Sequence, residues 1–323
     1  MKIKNILHKL YLIVVCCLTT MHICAQDAIV TMATANESVT IYVEWAGAGS
    51  IIANGVELKN DITTENVVAV TEGGSVVLVA TKGVQLTHLF CYDNSLETLD
   101  VTKCVGLTNL ECDNNILTAL DVSNCKELTH LSYSRNNLVD LNVTKCTMLT
   151  VLYCSENPMR TLDVTNCPKL TELHCQNAFL TTLDLSNCPE LTELNCWSNS
   201  LTALDVTNCP KLYWLECSYN SLSVLDVAQR IKLKHMKADY QALTLPIVKA
   251  DDDRLSIKNQ IVFNKSEVKI DNISHNGTYK AGNIAWEVQG ESGELTFDFS
   301  AELPDGVSGR PFTGTVTQPW TKK

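Results

Sequence analysis

Twelve cysteines recur at a 21-residue spacing on two columns of this 323-residue chain. The first column is Cys91, Cys112, Cys154, Cys175, Cys196 and Cys217, with Tyr133 at the remaining position. The second is Cys104, Cys125, Cys146, Cys167, Cys188 and Cys209. Thiols in such an array suggest disulfide staples, metal sites or buried apolar filler. Export would permit disulfides, and stacked coils bring neighbouring cysteines about 5 Å apart. In-register side chains point in parallel, however, which suits the disulfide dihedral poorly. The array contains no C-x-x-C pair, so zinc spacing is absent. The expectation is that these cysteines pack as small buried hydrophobes.

An acidic column, Asp100, Asp121, Asp163, Asp184, Asp205 and Asp226 with Asn142 in the third coil, could in principle hold calcium. Asp followed by Thr or Ser more often accepts backbone N–H groups in its own turn. The asparagines Asn94, Asn115, Asn136, Asn157, Asn199 and Asn220 are expected to satisfy backbone groups at a buried turn. Ala178 breaks that ladder, so irregularity or a bridging water is expected there.

Three variable columns flank each Leu-x-Cys strand on the side away from the core. The first carries His88, His130, Glu172, Glu193, Trp214 and His235. The second carries Phe90, Glu111, Tyr153, His174 and Glu216, and the third Tyr92, Asp113 and Trp197. Four of the five histidines beyond residue 25 fall here. Exposed Trp and Tyr are the usual anchors of protein and sugar contacts. Two patches result: His88, Phe90 and Tyr92 near the start, and Trp197 with Trp214 near the end, beside Tyr219.

Catalysis has little support. The chain has no nucleophile elbow, phosphate loop or cofactor motif. Glu172, His174 and Glu193 would sit together but without a pocket. His130 and Glu172 lie two coils apart, roughly 10 Å, too far for a hydrogen bond.

The elements that position these columns follow from the period. Seven units begin at Leu86, Leu107, Leu128, Leu149, Leu170, Leu191 and Leu212 and read L-x-x-L-x-C-x-x-N-x-L-x-x-L-D-V-x-x-C-x-x. Such a period marks a solenoid. Period-two alternation in Leu110–Asp113 and Leu194–Trp197 predicts one short strand per coil. Leu120-Asp121-Val122 and its equivalents predict a second extended segment on the return side. Stacked strands about 4.8 Å apart give a sheet roughly 30–35 Å long.

Residues 1–25 read as a secretory signal peptide: Lys2, Lys4 and Lys9 precede a short apolar run, and Ala25 closes a cleavage site. The residues before Cys16 and Cys24 suit lipid anchoring poorly. Residues 26–85 predict a small β section, with strands at 39–45, 67–70 and 75–80, that caps the solenoid. Residues 86–240 are the solenoid, whose pattern decays at Arg230, Met236 and Ala238. Residues 241–323 predict a small antiparallel β-sandwich with strands at 255–263, 267–270, 284–288, 295–299 and 314–317. Without residues 1–25 the balance is 22 basic to 36 acidic residues, a net charge of −14. Nucleic acid and anionic lipid are poor partners for that charge. No apolar run is long enough for a membrane span.

The phrase L-x-x-L-x-C-x-x-N-x-L at 107–117 and 191–201 resembles the bacterial leucine-rich repeat family. D-V-T-N-C-P at 163–168 and 205–210 resembles short repeats of exported proteins from the Bacteroides–Prevotella–Porphyromonas group. The order of signal, cap, repeats and immunoglobulin-like domain is similar to internalins. The unit departs from theirs in being 21 rather than 22 residues, in using Cys for Leu, and in lacking a wall-anchoring motif. The resemblance implies a β-rich leucine-rich repeat solenoid of parallel strands, and a secreted, periplasmic or surface protein that takes part in adhesion. The reading is a non-enzymatic, cofactor-free monomer that binds a macromolecule, a protein first, through the concave strand face. The alternatives are a glycan-binding module using the same Trp and Tyr residues, and an extracellular hydrolase.

Overall fold

The computed structural model describes residues 28–227, 232–250, 254–263, 266–289 and 292–322. The expected signal peptide and Arg230 lie outside the described residues. Each coil contributes a three-residue strand: Asn109–Glu111, His130–Ser132, Val151–Tyr153, Glu172–His174, Glu193–Asn195 and Trp214–Glu216. They pair parallel and in strict register, Leu131 beside Leu152 and Leu152 beside Leu173. Register this strict follows from the 21-residue period, because a slip of one residue would turn every Leu outward. The central leucines are fully buried, and each removes enough apolar surface from water to stabilise the fold by about 1.5–3 kcal/mol. One coil cannot bury its own face, so the stack forms a single core.

The twelve repeat cysteines are buried with free thiols. Burial pushes the Cys104 and Cys125 thiols up to about 12 and those of Cys146 and Cys188 up to about 11. In place of a cysteine, Tyr133 is fully buried and directs its hydroxyl to Met159 Sδ at 3.3 Å.

The asparagine column makes a hydrogen-bonded ladder from coil to coil. Asn136 Oδ1 accepts the Leu117 N–H at 3.0 Å, while Nδ2 donates to the carbonyls of Cys112 and Tyr133 at 2.9 and 3.0 Å. At Ala178 the ladder is interrupted. Met159 N–H, lacking an amide acceptor from that coil, turns back to Asn157 O at 2.9 Å. Arg160 and Phe179 there adopt positive φ, and Phe179 stands exposed. The ladder also extends one rung beyond its asparagines. Gln241, buried at the same column position, accepts Leu222 N–H at 3.0 Å and donates to Cys217 O at 3.0 Å.

The return segments are less regular than the alternation predicts. Strands form there only in the first coil, Leu96–Asp100, and the last, Val224–Leu225. Both have a partner from outside the repeats: Leu96–Asp100 pairs antiparallel with Ala28–Thr34, and Val224–Leu225 pairs with Val262–Phe263. The aspartates of the column form turns, at Asp100 in the first coil as in the intervening coils. Asp163 Oδ1 accepts Thr165 N–H at 3.0 Å and Thr165 Oγ1–H at 2.6 Å. The Thr165 hydroxyl and amide hold its carboxyl below the usual range, and the Ser123 and Ser186 amides do the same for Asp121 and Asp184.

The sheet does not stop at the ends of the repeats. Among the described residues it is 14-stranded and continuous. At the N-terminal side Ser38–Ala46 pairs antiparallel with Gln85–Phe90 and with Asn66–Ala69. At the other end His235–Thr244 continues the stack across position 240 and pairs parallel with Ser308–Lys322. That strand pairs antiparallel with Ser292–Ala301, which pairs with Lys269–Asp271. Close approach is possible because Gly309 has φ +122° and no side chain; a Cβ there would collide with the Met236 carbonyl. A second sheet of Arg254–Lys258, Asn283–Glu287 and Thr278–Lys280 completes the C-terminal section, with Trp286 lying 6.4 Å from Phe297. The single strand predicted at 255–263 is split. Buried Asn259 accepts the Ile261 N–H at 3.0 Å, and the halves join different sheets.

Candidate functional site

Alternation along each three-residue strand turns the central Leu inward and its neighbours outward. The outward residues Asn109, His130, Val151, Glu172, Glu193 and Trp214 follow one another coil by coil, as do Glu111, Ser132, Tyr153, His174, Asn195 and Glu216. At parallel-strand spacing these side chains pack on each other. Most of the face is therefore half-buried rather than open, with Glu216 only 15% exposed.

Rings from two columns join into one chain along the middle of the sheet. His130 meets Tyr153 edge-on at 5.6 Å, Tyr153 stacks on His174 at 4.6 Å, His174 lies 6.4 Å from Trp214, and Trp214 stacks on His235 at 5.8 Å. The sequence places Trp197 and Trp214 in one patch with Tyr219 in the adjoining turn; in the structure the two tryptophans belong to different ring sets. Trp197 meets Tyr219 at 5.6 Å and leads on to Tyr240, which stacks on Tyr219 at 4.6 Å. Near the start, His88 contacts Phe90 at 6.1 Å, while Tyr92 stacks on Tyr42 at 5.8 Å. Tyr42 comes from the section before the repeats, so column reading had no means of finding it. Tyr240 was legible: it stands 21 residues after Tyr219.

The electrostatics of the chain are set by burial against acids. His174 is held below the ordinary imidazole value by burial, partly offset by Glu172, Glu193 and Glu216. Burial lowers His130 too, partly offset by Asp113 and Glu172. Both imidazoles therefore give up their proton more readily than a free histidine does. Burial and the neighbouring Asp113 raise the Glu111 carboxyl, and His130 Nε2 stands 3.8 Å from Glu111 Oε1. Tyr153 donates its hydroxyl to Glu172 Oε2 at 2.6 Å. Burial first and this bond second push the phenol well up.

The acids divide into two groups. Glu216 is paired with Lys237 at 3.0 Å and Asp239 with Arg310 at 3.1 Å. Glu172 and Glu193 oppose each other in register and make no salt bridge to a described lysine or arginine. Like charges directly opposite are destabilising, so this part of the face favours a cation. The described residues contain no group of His, Cys, Asp and Glu arranged to hold a metal ion.

Comparisons with known proteins extend this geometry. Residues 266–321 match the family model described as LRR adjacent. Internalin I of Listeria monocytogenes serotype 4b is 35% identical over 79 residues, which make up 24% of this chain and 4% of that protein. Among solved structures, the functional domain of InlJ from Listeria monocytogenes, described as including a cysteine ladder, is 27% identical with a TM-score of 0.49. That match covers 73% of this chain and 62% of the other. The internalin InlF from the same species is 24% identical with a TM-score of 0.43, covering 48% of this chain and 49% of its own. The chain thus spans a small part of the curated relative it matches. It is a repeat protein similar to the bacterial leucine-rich repeat proteins of the internalin type.

Proposed function

We propose that this chain is an exported, monomeric leucine-rich repeat protein that binds a protein partner through the concave strand face, in an adhesion-type role. Residues 1–25 direct export, residues 26–85 cover the first coil, and residues 241–323, read as an immunoglobulin-like domain, cover the last. The observation that carries this reading is the ring chain from His130 to His235. The core does not require rings at these positions, and a rigid row of half-buried aromatics is the form that interface anchors take. Acids beside the row set specificity and steer a partner with basic residues. The internalin resemblance adds the expectation of a surface-associated adhesive role.

The test is a binding screen of residues 26–323 against surface proteins and glycans, run beside Tyr153→Ala with Trp214→Ala, and Trp197→Ala alone. A protein ligand that loses at least hundredfold in affinity with the double variant supports the reading. Carbohydrate ligands alone would replace it with the glycan-binding alternative. Undiminished binding to the folded double variant would exclude the ring chain as the site.

A further inference from the structure

We infer that a hollow on the third outward column binds the guanidinium of an arginine side chain presented by a protein partner. This deepens the protein-binding reading and rests on it. The hollow measures about 400 Å³ and lies between Tyr92 and the Tyr153–His174 ring pair. Its floor is a run of small residues, Ser132, Ser134 and Ser155, laid down by the 21-residue period beside Asp113.

Three buried polar atoms in this wall have no hydrogen-bond partner: Ser155 Oγ, His174 Nε2 and Gln176 Oε1. Ser155 is only 4% exposed. An unpaired buried polar atom is destabilising, so their gathering at one hollow marks a place where a ligand completes the bonding. Gln176 Oε1 accepts only, and the Asp113 carboxylate, three coils earlier on the same column at the other end of the hollow, also only accepts. The wall therefore asks for a donor.

The fold itself supplies a template for which donor. At the far end of the same column, Asp239 Oδ1 accepts the Ser218 hydroxyl, and Asp239 Oδ2 is bound by Arg310 Nη1 at 3.1 Å. Asp113 is likewise anchored through Oδ1 by a serine hydroxyl, though from the following coil rather than the preceding one. Its Oδ1 accepts Ser132 Oγ–H at 2.6 Å and Ser134 N–H at 2.8 Å. Among the described residues its Oδ2 has no counterpart to Arg310. The arginine nearest in the wall, Arg135, is engaged by Glu156 at 3.1 Å. The second half of the motif is thus left for a partner, and a planar fork of donors fits a carboxylate better than a point-charge ammonium does.

The test titrates residues 26–323 with N-acetylarginine methylamide, following the hollow by NMR. Matched titrations use N-acetylcitrulline methylamide, N-acetyllysine methylamide and methyl glycosides. Saturable arginine binding is expected, with the citrulline compound at least tenfold weaker, because loss of a charged hydrogen bond is worth about 1.5–3 kcal/mol. Asp113→Asn should weaken binding by at least about tenfold. Gln176→Lys, which adds a second cation to the wall that Arg135 already lines, should abolish it. Both variants must retain the native circular dichroism and melting profile; if Asp113→Asn does not fold, Gln176→Lys decides. The inference is overturned if the arginine compound does not bind, if citrulline, lysine or a glycoside binds equally well, or if neither variant weakens binding. A partner that is lost with the ring-chain substitutions but keeps its affinity for Asp113→Asn would sink the hollow and leave the broader reading standing.

Discussion

Asn157 shows how much a single side chain carries in this molecule. Its Oδ1 accepts the Leu138 N–H, and its Nδ2 serves the carbonyls of Tyr133, Cys154 and Ser155. Asn157→Ala leaves these buried groups unpaired and is expected to cost about 2–4 kcal/mol, read from the urea midpoint at constant slope. The twelve thiols make a second prediction. Since burial raises the folded pKa of eleven of them, all but Cys209, above the ordinary 9.0, the folded state holds protons that the unfolded state releases. Their contribution to stability is therefore complete below about pH 9 and lost as pH rises towards the folded values. His130 and His174 act in the opposite sense. With folded values below 6.5, they release protons on folding, and stability falls as pH drops below 6.5. Denaturant melts across pH should show a plateau between these limits. At neutral pH the folded thiols should resist an alkylating reagent, and about twelve should react after unfolding. At this scale the sequence was highly legible, because each column repeats one residue in one environment. The unpaired atoms at Ser155, His174 and Gln176 were not, since they depend on how neighbouring coils pack.

At the scale of elements, the coil strands were readable from alternation alone, whereas the return strands were not. A return segment becomes a strand only where another section offers a hydrogen-bonding edge, as Ala28–Thr34 does for Leu96–Asp100. That condition lies outside the repeat. The same holds for Ser308–Lys322, whose parallel pairing with His235–Thr244 joins the C-terminal section to the solenoid. Gly309→Ala tests the junction: the added methyl meets the Met236 carbonyl in a backbone conformation that favours glycine. We expect it to lower the melting temperature by several degrees, corresponding to about 1–3 kcal/mol. Removing residues 306–323 goes further and leaves His235–Thr244 as an open edge. Such a truncation should self-associate on size exclusion with light scattering, where the full chain stays monodisperse.

Over the whole molecule, the continuous sheet holds the outward columns as one rigid surface from Tyr42 to Tyr240. The period gave the address of most of that surface, including His130, Tyr153, His174 and Trp214. It could not foresee that half-burial would fuse them into one ring chain, or that Trp214 would join that chain and leave Trp197 with Tyr219. Those outcomes depend on rotamers and on sections outside the repeats. Acids on this surface should make association with a basic partner salt-sensitive, with the on-rate falling as ionic strength rises. The most direct measurement compares two faces of the same coils. Affinity for a selected protein partner is measured for Tyr153→Ser with Trp214→Ser on the strand face, and for Asp121→Ser with Asp163→Ser in the return turns. At least hundredfold loss for the strand-face variant, with the return-turn variant unchanged, is the expected result. Loss confined to the return-turn variant, with both proteins folded, would contradict a binding function for the strand face.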